Sequence, residues 1–314
     1  ELNITPKELT EKYINSMNDD FNSLGMIEPD SEPRATDNID SIISLIKILI
    51  KKGHAYEGSS DVYFSAESFD SYGKLSRRNL EDMLAGARVD IDTDKKNPAD
   101  FVLWKKNTEG LKWDSPWGEG RPGWHIECSA MSMDALGETF DIHGGGSDLK
   151  FPHHENEIAQ SECVTGKEFA KLWMHTGSLR IDKEKMSKSL KNFVTIKDAL
   201  QTHSSEVLRL FLISSHYRSP LNYSHDGLEE AKQSLDRLYN SLQDLVYESK
   251  DYIQTEYSQK FHKAMQDDFN TPSALSVLFE MARHINTLKT ENNIEKSSSL
   301  AKELVTLSDI LGLL

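Results

Sequence analysis

The chain has 314 residues, 36 basic and 51 acidic, for a formal net charge of −15, and at ~100–200 residues per domain this length accommodates two or three domains with a buried core. Hydrophobic residues are 37% and charged residues 28%, which excludes collagenous and low-complexity chains, and no apolar run approaches the ~20 residues of a membrane span. Two cysteines, Cys128 and Cys163, exclude a disulfide framework and favour a reducing compartment, while the acidic balance argues against a nucleic-acid partner at long range.

Thr5-Pro6-Lys7-Glu8 is a capping box with proline at the first helical position. Ile14, Met17 and Phe21 follow at helical spacing and predict a helix over 6–22. A second helix is expected from Asp37 to Lys52, with Ile39, Ile42, Ile43, Ile46 and Ile50 as its buried stripe and Gly53 as its C-terminal cap. From Ala55 to Gly120, short alternating pieces such as Asp61–Phe64 and Phe101–Trp104 predict a small mixed insertion of irregular strands and loops. Segment 121–165 contains two apolar starts, each followed by a helix-like stretch, as βα units do. Beyond Glu206 the pattern is helical. Leu228, Ala231, Leu235, Leu238, Leu242 and Leu245 mark one long helix, Asn270-Thr271-Pro272 opens another, and Ser297 to Leu314 supplies a third.

Two loops and one cluster carry chemistry. Cys128 and, 25 residues later, His153 and Glu157 offer a thiolate, an imidazole and a carboxylate. Together these form a zinc-type ligand set with one position left open. His153 and Glu157 at i, i+4 share a helix face, and His154 is the rival ligand. The same residues also fit a buried small side chain with capping histidines, and Cys163 reads as core. Gly144, Gly145 and Gly146 at a strand end let backbone approach a ligand, and Asp148 could hold a ribose or an amine; a tight turn explains the triplet equally well. Lys183 to Asn192 presents several ammonium groups on a serine-containing loop, suited to stabilising a pyrophosphate leaving group.

Lys185-Met186-Ser187-Lys188-Ser189 resembles the second signature of class I aminoacyl-tRNA synthetases. Stretches 120–131, 141–162 and 216–224 are similar to the cysteinyl-tRNA synthetase family in particular, as are Glu32–Thr36 and Asp267–Pro272. The resemblance implies a fold: the second half of a Rossmann-type α/β catalytic domain with a connective insertion, followed by a C-terminal α-helical bundle. By position, the family's zinc ligands fall on Cys128, His153 and Glu157, and its substrate-pocket aromatic on Trp124. Gly146 and Asp148 fall where the adenylate and the amino acid are held. Lys185 and Lys188 are the signature lysines, with Lys188 assigned to ATP. The implied reaction joins cysteine and ATP as cysteinyl-adenylate, using ATP with Mg²⁺, and passes the cysteinyl group to tRNA(Cys). One zinc per chain, a monomeric state, no membrane partner and a cytoplasmic location go with it.

The implied segments are 1–35, the end of the first Rossmann half; 36–121, the insertion; 122–165, the second half; 166–225, the stem-contact region with the lysine loop; and 226–314, an anticodon-side bundle. Two departures stand out. The family's His-Ile-Gly-His signature and an upstream cysteine that supplies a fourth zinc ligand are absent, and both would precede Glu1, so the expectation is a piece of a longer protein. Lys191 stands where the family has glycine, a residue that reaches positive φ readily. The alternatives are a non-catalytic zinc- or tRNA-binding module, and a cysteine ligase of mycothiol synthesis.

Overall fold

The computed structural model describes residues 4–78, 94–106, 110–181, 184–186, 190, 192–247 and 254–314. These fall into two compact units, Glu1–Glu28 with Thr176–Leu314 and Pro29–His175. Helix α1 (Pro6–Ser23) opens the first unit. Its capping box forms as the sequence requires: Glu8 N–H donates to Thr5 Oγ1 at 3.2 Å, and Thr5 N–H donates to the Glu8 carboxylate at 2.7 Å. None of its residues is buried.

The second unit begins with α2 (Ile39–Lys52), closed by Gly53 in the left-handed region at φ 85°, where glycine carries no Cβ penalty. The buried stripe is wider than the isoleucine pattern: Leu45 and Leu49 join Ile39, Ile42, Ile43 and Ile46, while Ile50 is only half-buried. Against it lies the antiparallel sheet β1 (Ala55–Glu57), β2 (Asp61–Phe64), β3 (Phe101–Lys106) and β4 (Gly120–Pro122), ordered as in the chain. Trp104, Phe64, Leu103 and Ile126 fill the core shared by sheet and helices.

Gly123 turns the chain from β4 into α3 (Trp124–Leu136). It is buried, its N–H donates to the Leu103 carbonyl at 2.8 Å, and a Cβ there would collide with the Val102 carbonyl. Strand β5 (Phe140–Gly146), helix α4 (Glu155–Thr165) and strand β6 (Ala170–Thr176) follow, with β5 and β6 hydrogen-bonded. The two strand-then-helix starts within 121–165 are thus present. Pro152 lies in a separate turn, Lys150–His154, and α4 begins at Glu155.

The rest of the first unit starts with β7 (Leu179–Ile181), β8 (Glu184–Lys185) and, after α5 (Ile196–Ala199) and α6 (Ser205–Ile213), β9 (Leu221–Tyr223). β7 is central, antiparallel to β8 and parallel to β9. Four long helices complete it: α7 (His225–Leu242), α8 (Glu256–Gln266), α9 (Thr271–Thr290) and α10 (Ile294–Asp309). Leu245 lies beyond the end of α7, and α10 begins three residues before Ser297. Asn270 caps α9 by accepting from Ser273 N–H at 3.1 Å, with Pro272 in the first turn. Leu238, Phe261, Leu278, Met281 and Leu304 are fully buried in one continuous core. Among the described residues no helix is long and apolar enough to cross a membrane.

Candidate functional site

Helices α3 and α4 pack against each other in the second unit and bring two separated sequence stretches together. Cys128 faces α4 from the second turn of α3; His153 lies in the turn before α4, and Glu157 lies in the first turn of that helix. One ligand atom from each of Cys128, His153 and Glu157 lies within 4.8 Å of the other two. Trp124, at the start of α3, is exposed and stacks on His153 with ring centroids 4.5 Å apart.

The surrounding groups orient the ligands. His153 Nδ1 meets His125 Nδ1 at 2.7 Å. Burial first, and then the charge of His153, lower His125 to about 4, so it is neutral near pH 7. One hydrogen lies between the two Nδ1 atoms, and the tautomer that places it on His153 frees His153 Nε2 for a metal ion. His153 Nε2 lies 2.7 Å from the buried Glu157 Oε1. The other oxygen, Oε2, is held by His143 Nε2 at 2.6 Å. Burial raises Glu157, but the His143 and His153 imidazoles outweigh it and bring the carboxyl down to about 2. Burial, followed by the Glu157 and Glu127 charges, pushes the Cys128 thiol up to about 12. A buried carboxylate oxygen, an imidazole nitrogen and a thiol converging on one point fit a divalent cation, whose charge deprotonates a coordinating thiol.

His154 does not join Cys128. It groups with His143 and Glu157, its Nδ1 lies 2.9 Å from His175 Nε2, and its ring sits under Gly145. The rival ligand thus belongs to a separate possible ligand set with His143 and Glu157, apart from Cys128. Burial is also the largest influence on His154, lowering it to about 4. Cys163 is buried on α4 in the core, as expected, with its thiol pushed up to about 12 by burial.

Gly144, Gly145 and Gly146 are the last three residues of β5, and Asp148 follows in an exposed turn whose carboxylate folds back toward Gly146. Lys185 lies exposed in β8 of the first unit, with its carbonyl accepting from Asn192 Nδ2 at 3.3 Å. Lys188 and Lys191 lie outside the described residues.

Residues 1–233 match the family model for the class I (C) tRNA synthetase catalytic domain, and 260–314 match the DALR domain. A cysteine–tRNA ligase from Hahella chejuensis is 56% identical over 313 residues, covering 98% of this chain and 67% of its own. That from Vibrio atlanticus is 56% identical over 308 residues, with the same two coverages. The chain belongs to the cysteine–tRNA ligase family. Its fold is that of class I synthetases: methionyl-tRNA synthetase of Mycobacterium tuberculosis, solved with methionyl-adenylate, superposes with a TM-score of 0.66 at 13% identity, over 98% of this chain and 77% of that one.

For a member of this family, His125, His143 and His175 are the side chains that the sequence reading passed over. His125 had a detectable signal, since it lies three residues before Cys128 on one helix face. His143 and His175 had none, because they sit on two strands and reach α4 only through the tertiary fold.

Proposed function

We propose that this chain activates cysteine with ATP and transfers it to tRNA(Cys), and that it selects cysteine through a zinc site formed by Cys128, His153 and Glu157. The observation that carries the reading is the convergence of those three ligand atoms within 4.8 Å. Bound zinc supplies a soft site for the substrate thiolate, which a serine hydroxyl cannot match and a shape-based pocket would separate by only ~10²-fold.

The remaining roles belong to side chains of the chain itself. Trp124, stacked on His153 and exposed, would flank the substrate side chain. The backbone at Gly146 would approach the adenylate, and the Asp148 carboxylate would hold the substrate amine. Lys185 and Lys188 would neutralise the pyrophosphate of ATP–Mg²⁺ as it departs. No protein nucleophile is required, since positioning and electrostatic stabilisation carry the activation step. We assign 1–35 and 122–165 to the two Rossmann halves, 36–121 to the insertion, 166–225 to the stem-contact region and 226–314 to the anticodon-side bundle. We take the protein to act as a cytoplasmic monomer.

Calorimetric titration of His153→Ala with cysteine and with ATP separately tests the assignment. The expected result is a loss of cysteine affinity of at least ~10²-fold with ATP binding nearly unchanged. Equal losses for both ligands would overturn it.

A further inference from the structure

The first unit carries a second convergence of ligating side chains, none of which belongs to the site above. His203 lies immediately before Ser204, the N-cap of α6. His225 is the first residue of α7, and Glu229 lies one turn further along the same face. One ligand atom from each of the three lies within 4.8 Å of the others. We propose that His203, His225 and Glu229 bind one divalent transition-metal ion of the zinc, cobalt or nickel type.

The hydrogen bonding around His203 supports this. Its Nδ1 lies 2.9 Å from Thr202 Oγ1, and that hydroxyl directs its single hydrogen to the Ala199 carbonyl at 3.2 Å. In that arrangement the hydroxyl accepts from His203 Nδ1–H. A hydrogen-bonded distal nitrogen of this kind fixes the tautomer and ring orientation of metal-ligating histidines. Nε2 of the buried His203 then presents its lone pair to a Glu229 oxygen 3.1 Å away; in the other tautomer Nε2–H donates to that oxygen, and Co²⁺ binding separates the two. Two acceptors facing each other call for a cation between them. A shared proton would answer those two atoms alone. The His225 ring, set at 70° to His203 with centroids 5.7 Å apart, places a third ligand within reach of the same ion.

The donor types name the ion class. Two imidazoles and one carboxylate suit borderline first-row ions, whereas magnesium and calcium take all-oxygen sets. The side chains also grade from buried His203 through half-buried Glu229 to exposed His225, which gives an entry path from solvent and leaves coordination positions for water. A bound ion would fasten the connector between α5 and α6 to the first turn of α7, and so would stabilise the first unit.

The test uses the untagged full chain, stripped of metal by chelation and titrated with Co²⁺, followed by calorimetry and visible absorption. The wild type is expected to bind one equivalent more than His225→Ala. The difference spectrum should show cobalt d–d bands without a thiolate charge-transfer band, because this set contains no cysteine. Cys128→Ala should keep that equivalent, so failure here and failure of the zinc assignment read out separately. Because His225 is exposed, its replacement leaves the core intact; Glu229→Gln, which keeps the side-chain volume, should weaken Co²⁺ binding at this site by at least ~10-fold. Equal stoichiometry for wild type and His225→Ala, or a thiolate band in the difference spectrum, would overturn the proposal.

Discussion

Glu155 is the residue through which the structure makes its sharpest stability prediction. It opens α4, is fully buried, and accepts three backbone N–H groups: Gly73 at 2.9 Å and Leu75 at 3.3 Å on Oε1, and Ser76 at 2.8 Å on Oε2. Glu155→Ala removes the acceptor for all three. An unpaired buried donor costs ~1–3 kcal/mol. Gly73 is buried, but Leu75 and Ser76 are half-buried and recover part of the loss from water, so the expected total is ~3–5 kcal/mol. Glu155→Gln keeps an oxygen for two donors and places an NH₂ against the third, for ~1–3 kcal/mol. For a unit of this size ~1 kcal/mol corresponds to ~2–4 °C, so the alanine variant should melt ~6–20 °C lower. The assay is local, because all five tryptophans (104, 113, 117, 124 and 173) lie within Pro29–His175 and their fluorescence reports that unit alone. Urea unfolding that put Glu155→Ala within ~1 kcal/mol of wild type, or glutamine as damaging as alanine, would refute the reasoning.

Two further predictions concern backbone and charge. Gly123→Ala forces a Cβ onto the Val102 carbonyl and should destabilise the second unit by ~1–3 kcal/mol; an unchanged melting temperature by tryptophan fluorescence would show that the β4–α3 junction yields freely. Asp268 accepts from Arg218 Nε at 2.6 Å and Nη2 at 3.0 Å and from the Tyr217 hydroxyl at 2.8 Å, and Arg218, then Tyr217, lower its carboxyl to about 2. Since its folded value lies below the ordinary ~3.9, its contribution is present above that pH and lost as pH falls toward 2. The stability gap between wild type and Asp268→Asn, followed by helical circular dichroism, should stay constant from pH 7 to ~5 and close by pH ~2. The pair is exposed and should weaken in high salt. A gap independent of pH would contradict it.

What the sequence made legible was local or periodic. The caps at Thr5, Gly53 and Asn270 formed as written, because each depends on residues within four positions. β2 and β3 appeared where alternation placed them. The convergence of Cys128, His153 and Glu157 was legible in part, since the i, i+4 relation of His153 and Glu157 is a helical spacing, but nothing local ties either to Cys128. The choice between His153 and His154 was open for the same reason: spacing from Glu157 admits both, and only the tertiary fold sends His154 toward His143 and His175. α1 shows the converse, with apolar residues at helical spacing and none of them buried.

The polar character of α4 explains why its register is fixed so firmly. Glu155, Asn156, Glu157, Gln160 and Ser161 are all buried on one short helix, a composition that would be destabilising unless each group found a partner. Most do, in directions fixed by the rest of the unit. Glu155 takes the amides of 73–76, Asn156 accepts from the Tyr72 hydroxyl, Glu157 takes His143, and Gln160 Oε1 accepts from Ser129 on α3 at 2.6 Å. An apolar face tolerates small rotations and slides, because dispersion is not directional. A set of directional bonds to three different segments does not: turning α4 by one residue would orphan every one of them at once. Metal ligands must be held within ~0.5 Å of their working geometry. A helix registered by buried hydrogen bonds meets that requirement for the proposed ligand Glu157, and the Ser129–Gln160 bond ties the same register to the helix that carries Cys128.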